Sequence, residues 1–409
     1  MNRLASFITN LVGWFNLTAL LMLFTLPFYV HKLDMIFYEE IEQEVVEIPK
    51  KEVFGFLPYW VFDERIEHID YDVLTTIAYF GVDVHAHGNL DLSSQGYKTY
   101  MSDEATEIFD KAHASGTRVV LTITQMNNRD ILALMNSTEA QDRAIEQTAE
   151  LVKQRGLDGV NIDFEYMGDP GETYREKFTT FTQKMSDRLD KDNEDAHLTV
   201  SVYASAAKYP KIYNLTDLAG IADGIFMMAY DFAVSNSQVA MPTSPLFGHE
   251  EGEYWYDVST AVDDFLAMMP ADKLILGLPW YGYNYPVPTP EVKAPSYYRG
   301  VAQTIGIVQE ISDTTPSSSM VEGWDDHGKV GFKAYNTGYG WRMVFIEDVR
   351  SLSYKYDFAK EKDLGGVGMW AIGFQESDDD MWALLREKFG TQVIADAGNL
   401  RWLRLIARS

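Results

Sequence analysis

The chain has 409 residues, 46% of them hydrophobic and 13% aromatic, which places it among folded globular proteins and excludes a disordered or fibrous one. Its 61 acidic residues outnumber 34 basic ones, for a net charge of −27. That argues against nucleic acid as a partner, because phosphate binding needs a basic surface. Cysteine is absent, so there is no disulfide and no thiolate metal site, although a chain of this length needs neither to hold a core.

After Arg3, residues 11–30 are apolar apart from Asn16, Thr18 and Thr25, and His31, Lys32 and an acidic stretch over 34–47 follow. About 20 such residues are long enough to cross a bilayer as a helix. No small-x-small cleavage site is obvious at its end. Residues 1–32 therefore read as a signal anchor that holds the rest of the chain outside the cytoplasm, with a cleaved signal peptide as the alternative. Residues 33–50 read as an acidic linker.

From residue 51 onward short apolar runs alternate with longer amphipathic ones, the pattern of repeated βα units. Strands are expected at 53–58, 75–82, 118–124, 159–165, 198–203, 224–230, 273–278 and 366–372. Helices are expected at 103–114, 138–154, 173–189, 258–269, 348–361 and 377–389. The strands are nearly continuously hydrophobic, as parallel strands buried on both faces should be. Eight of them suggest an α/β chain folded as a (β/α)8 TIM barrel over 51–390, though a doubly wound open sheet would show the same alternation. The connection after the seventh strand is too long for a simple loop. Residues 281–345 are expected to form a small, mostly β insertion beside a cleft, rich in aromatic residues such as Tyr281, Tyr283, Tyr285, Trp324 and Trp341. The tail, 391–409, carries Arg401, Arg404 and Arg408 on one helical face; docking on an acidic body is the simpler reading, a membrane-surface helix the other.

The fourth strand carries the chemistry. In Leu157-Asp158-Gly159-Val160-Asn161-Ile162-Asp163-Phe164-Glu165, side chains alternate faces. Val160, Ile162 and Phe164 point one way; Asn161, Asp163 and Glu165 point the other. Two carboxylates two residues apart on one strand face lie about 6.5–7 Å apart. Like charges so placed raise one another's pKa, and a raised pKa suits a general acid.

This stretch resembles the Asp-Gly-x-(Asp/Asn)-x-Asp-x-Glu signature of family 18 glycoside hydrolases, the chitinases and their relatives. Met227-Met228-Ala229-Tyr230-Asp231 and Gly368-Met369-Trp370-Ala371 resemble two further motifs of that family, in the right order. The resemblance implies a (β/α)8 barrel and a hydrolase of β-linked N-acetylglucosamine polymers or oligosaccharides, without metal or other cofactor. It further implies that Glu165 protonates the glycosidic oxygen. The substrate's acetamido oxygen would attack C1 to give an oxazolinium intermediate, with net retention. Asp163 would orient the acetamido group, Tyr230 would donate to its carbonyl, and Asp231 would contact the sugar or tune Glu165. Trp370 would lie beneath the sugar, with Met228 close by. Asn161, Tyr59 and Trp60 complete the expected substrate-binding set. Asn161 stands where aspartate is common, so Asp163 is expected to titrate lower and stay ionised.

Strand three ends Leu121-Thr122-Ile123-Thr124-Gln125, where many chitinases carry Ser-x-Gly-Gly. That departure makes the chain similar to a divergent branch, nearer to bacterial cell-wall and spore-cortex hydrolases and to chitobiase-like enzymes. Peptidoglycan is thus an alternative substrate to chitin-type chains, and a catalytically silent carbohydrate-binding protein is the non-enzymatic alternative. His85 and His87 also resemble the His-x-His strand of metal-dependent amidohydrolases. That site needs an aspartate on the last strand, where this chain has Trp370, and Gly88-Asn89 fits a hairpin turn better.

Overall fold

The computed structural model describes residues 51–390. The expected anchor at 1–32, the acidic linker 33–50 and the tail 391–409 lie outside the described residues. Among the described residues, no helix is long and apolar enough to cross a membrane.

Strands β1 (Glu52–Pro58), β2 (Thr76–Asp83), β3 (Arg118–Gln125), β4 (Gly159–Phe164), β5 (His197–Tyr203), β6 (Gly224–Met228) and β7 (Leu274–Pro279) run in sequence around a barrel. After β7 the chain leaves the barrel for β8 (Tyr281–Val287), β9 (Val301–Thr304), β10 (Met320–Asp325), β11 (Val330–Asn336) and β12 (Trp341–Ile346), and it returns with β13 (Gly366–Trp370). The barrel closes in the order β1-β13-β7-β6-β5-β4-β3-β2, all neighbours parallel. This is the expected (β/α)8 barrel, and the closed circuit removes the open-sheet alternative. Each expected strand falls within two residues of its observed bounds.

The connecting helices are α1 (Gln95–Tyr100), α2 (Asp103–Ala114), α3 (Asn128–Met135), α4 (Thr138–Arg155), α5 (Glu172–Leu189), α6 (Leu215–Ile221), α7 (Val258–Leu266), α8 (Ile305–Thr314), α9 (Val349–Glu361) and α10 (Asp380–Phe389). Their ends follow local chemistry. The Ser137 hydroxyl accepts from Ala140 N at 3.1 Å to start α4, and Gly156, at φ 64°, ends it. Asp348 and Ser351 form a reciprocal cap on α9. The short helices α1, α3 and α6 were not expected, because six to eight residues are too few for a periodic signal.

Burial follows the alternation read from the sequence. Val160, Ile162 and Phe164 join the large apolar layer between strands and helices, while Phe54, Phe56, Phe226, Met228 and Ile275 fill the barrel interior. The insertion is a five-stranded antiparallel sheet in the order β10-β11-β12-β8-β9. It has its own core of Tyr285, Val287, Phe332, Met343 and Phe345, and it contains one full helix, α8. His85 and His87 sit on a tight hairpin, with His85 N donating to Asn89 O at 2.8 Å and Gly88 at φ 84°.

Candidate active site

Two residues of the β4 signature build the barrel rather than line its mouth. Asp158 Oδ2 accepts from Val119 N at 2.6 Å and pairs with His113 Nε2 at 2.9 Å, locking β3 and α2 to the start of β4. Gly159 faces His197 so closely that a Cβ there would lie 1.9 Å from the His197 carbonyl oxygen, so the position admits only glycine.

Asn161 is fully buried. Its Oδ1 accepts from Thr199 Oγ1 at 2.9 Å, and its Nδ2 donates to Ser201 Oγ at 3.1 Å. The amide is held by β5 inside the barrel, beneath the expected substrate-binding residues at the mouth. One turn of the pleat further on, Asp163 is 4% exposed and its Oδ1 has no protein partner. Burial pushes its pKa well above the ordinary carboxylate value, and the nearby Glu165 adds to the shift. Asn161 in place of aspartate spares Asp163 one further upward push. Removing a negative charge at position 161 does not offset the loss of water and the facing Glu165.

Glu165 follows the end of β4, its backbone N donating to Gln125 O at 3.0 Å. Its side chain is half-buried at the barrel mouth. Burial raises its pKa and Asp231 adds to that, while Tyr203 and Lys211 pull it back. Asp163 and Glu165 thus form a coupled pair that holds on to protons more tightly than isolated carboxyls.

β6 supplies the opposing wall. Tyr230 lies just beyond its end, and burial together with Asp163, Glu165 and Asp231 keeps its hydroxyl far from ionisation, so it faces the carboxyls as a neutral donor. Asp231 adopts φ 60°. Its Oδ1 accepts from Tyr281 at 2.5 Å, Tyr283 at 3.0 Å and Thr243 at 3.3 Å. Met228 is buried below, among Phe54, Phe56 and Phe226.

β13 and β1 provide the aromatic side. Trp370 is half-buried, with Phe80 at 4.7 Å and Phe56 at 5.5 Å between ring centroids, and Trp60 stands 6.1 Å away with 43% of its surface exposed. Tyr59 packs against the layer between strands and helices, so of the expected pair only Trp60 faces the mouth.

The described residues therefore bring Asp163, Glu165, Tyr230, Asp231, Trp370 and Trp60 to one end of the barrel, the end where the C-termini of parallel strands place active sites. A model of glycosyl hydrolases family 18 matches residues 52–375. The chain belongs to glycosyl hydrolase family 18. It is 27% identical over 303 residues to rat (Rattus norvegicus) di-N-acetylchitobiase, covering 69% of this chain and 77% of that protein. It is 24% identical over 313 residues to the cortical fragment-lytic enzyme of Bacillus subtilis (strain 168), covering 74% of this chain and 67% of that enzyme. Its fold matches the family 18 chitinase of Cycas revoluta, solved in complex with (GlcNAc)3, with a TM-score of 0.71 at 20% identity over 83% of this chain and all of that one. Family membership makes the protein a glycoside hydrolase and excludes the amidohydrolase reading of His85 and His87.

Sequence reasoning missed several residues of this family 18 site. Tyr203 and Lys211 lie beside Glu165, and Tyr281, Tyr283 and Thr243 hold Asp231. Tyr203 ends β5 and was findable from the rule that strand ends carry function. Lys211 sits in a loop with no periodic signal.

Proposed function

We propose that the protein is a retaining β-N-acetylglucosaminidase of chitinase type, working by substrate assistance with Glu165 as acid and then base. The observation that carries this reading is the disposition of the three carboxyls. Asp163 and Glu165 stand on one strand face, the first buried and the second half-buried, and Asp231 Oδ1 accepts from three hydroxyls. Asp163 shares a strand face with Glu165 and Asp231 is tied to hydroxyls, which speaks against either serving as the nucleophile that a two-carboxylate retaining mechanism requires. The nucleophile is then the acetamido oxygen of the substrate itself.

On this reading Glu165 donates its proton to the glycosidic oxygen as the C1–O bond breaks, and the acetamido oxygen closes on C1 from the opposite face. Asp163 accepts from the acetamido N–H and offsets the positive charge of the oxazolinium. Tyr230 donates to the acetamido oxygen. The sugar lies on Trp370, with Trp60 at its edge. Water then attacks C1, losing its proton to Glu165, and the starting configuration returns. That Asp163, Glu165 and Tyr230 converge at one end of the barrel favours turnover over silent binding.

For the substrate we favour chitin-type oligosaccharides, in line with the names of the chitobiase and chitinase relatives and with the aromatic wall of Trp60 and Trp370. The likeness to a cortical fragment-lytic enzyme supports peptidoglycan as a second reading. We place the barrel on the outer side of a membrane, a proposal that rests on the apolar run 11–30. Mass spectrometry of products after incubation with chitooligosaccharides, purified peptidoglycan and an N-glycan tests the substrate. Shortened chitooligosaccharides are expected. Release from peptidoglycan alone would replace the chitin assignment while leaving the catalytic one standing.

A further inference from the structure

The loop after β5 carries a cation to the acid. Lys211 adopts φ 52°, a left-handed conformation that side-chain-bearing residues adopt only when their surroundings impose it. Two anchors impose it here. Arg175, on α5, donates from Nη1 to the Lys211 carbonyl at 3.2 Å while its guanidinium is fixed by Asp169 at 2.7 Å and Glu172 at 2.9 Å. Two residues beyond Lys211, the buried Tyr213 hydroxyl donates to the carbonyl of Phe164, the residue directly before Glu165, at 2.9 Å. The loop is therefore pinned both to the strand end that presents Glu165 and to the helix that follows it.

The Lys211 side chain then folds back over the barrel mouth. Its Nζ sits 4.4 Å from the centroid of the Tyr203 ring, a cation–π seat, and Tyr203 interacts in turn with Glu165. Burial lowers the Lys211 pKa and Glu165 works against that. The charged and titratable groups facing Glu165 are Asp163 from β4, Tyr203 from β5, Tyr213 and Lys211 from the following loop, and Tyr230 and Asp231 from the end of β6.

Accepting Glu165 as the acid, as proposed above, gives this arrangement a purpose. When Glu165 gives its proton to the leaving oxygen, the electron pair of the C1–O bond goes to that oxygen and a carboxylate remains beside Asp163 and Asp231. Without a cation, that new negative charge would meet two acids in a partly dry site. We propose that Lys211 is a positioning residue for this step: its ammonium, seated on Tyr203, stabilises the Glu165 carboxylate that proton donation leaves behind. When water later attacks C1 and its proton returns to Glu165, the same charge keeps that carboxylate from being reprotonated too early by solvent.

The test is a 13C NMR titration of carboxyl-labelled glutamate, with the Glu165 signal assigned by its disappearance in Glu165→Gln. In Lys211→Met, and in Lys211→Gln as a second variant should the first fold poorly, the Glu165 midpoint is expected to rise by about one pH unit or more. Lys211→Arg is expected to keep the wild-type midpoint. On oligosaccharides the alkaline limb of kcat/KM should move up with it, and kcat should fall more for a sugar leaving group than for an aryl one, which needs little proton donation. An unmoved midpoint in the neutral variants would overturn the proposal, as would a loss confined to KM and equal on both substrates. The titration needs no substrate, so absence of activity in the wild type would refute the N-acetylglucosaminidase reading without touching this result.

Discussion

Replacing Glu165 by glutamine is expected to lower turnover of an unactivated N-acetylglucosamine oligomer by at least about 10²-fold, the usual contribution of a positioned general acid. The variant keeps the size of the side chain and its backbone link to Gln125 O at 3.0 Å, and it removes only the transferable proton. Trp370 and Trp60, proposed above to support the sugar, lie on β13 and in the turn after β1, away from the substitution. Oligosaccharide affinity, measured by calorimetry, should therefore stay near the wild-type value while kcat falls. The separation matters more than the size of the drop. Half of the activity surviving on a sugar leaving group would mean that another group donates the proton, and loss of binding together with turnover would mean that Glu165 holds the substrate rather than cleaves it.

Asp163→Asn is expected to reduce kcat by about 10²–10³-fold, the range found when one preorganised electrostatic group is removed from a transition state. The physical reason is that Asp163 is buried beneath the mouth with one oxygen free of protein partners, so it acts on the bound substrate with little screening once Glu165 holds the proton of the pair. A second consequence distinguishes this variant from a merely disturbed one. Glu165 raises the Asp163 pKa, and a charge–charge interaction is reciprocal, so neutralising Asp163 should let Glu165 ionise at lower pH. The alkaline limb of the kcat/KM profile, where the acid is lost, should then move down in pH, opposite to the shift expected when Lys211 is neutralised. A profile that keeps its limbs while only its height falls would show that the two carboxyls do not communicate.

The part of this site that was legible in the sequence is the part encoded by strand alternation. Val160, Ile162 and Phe164 against Asn161, Asp163 and Glu165 is a period of two, and the structure places the first set in the outer apolar layer. The period does not say which members of the interior face are held by neighbouring strands. Asn161 lies deep enough for Thr199 and Ser201 of β5 to take both ends of its amide, and nothing in the sequence ranks depth along a strand. The upward push that burial gives Asp163 was likewise not legible, because counting charged neighbours omits the water removed by the barrel around it. The supports of Asp231 were invisible for a different reason. Tyr281 and Tyr283 stood in the sequence only among the aromatic residues of an insertion, and their hydroxyls reach Asp231 because β8 starts directly after β7 and turns across the mouth. Lys211 depends on two long-range anchors, Arg175 and Tyr213, which no local pattern announces.

The central claim is that the substrate's own acetamido oxygen attacks C1 while Glu165 donates the proton, and the configuration of the first product tests it most directly. Proton NMR of a fresh digest of a chitooligosaccharide, recorded before mutarotation, should reveal the new reducing end as the β anomer. The α anomer appearing first would mean direct attack by water and would contradict the account.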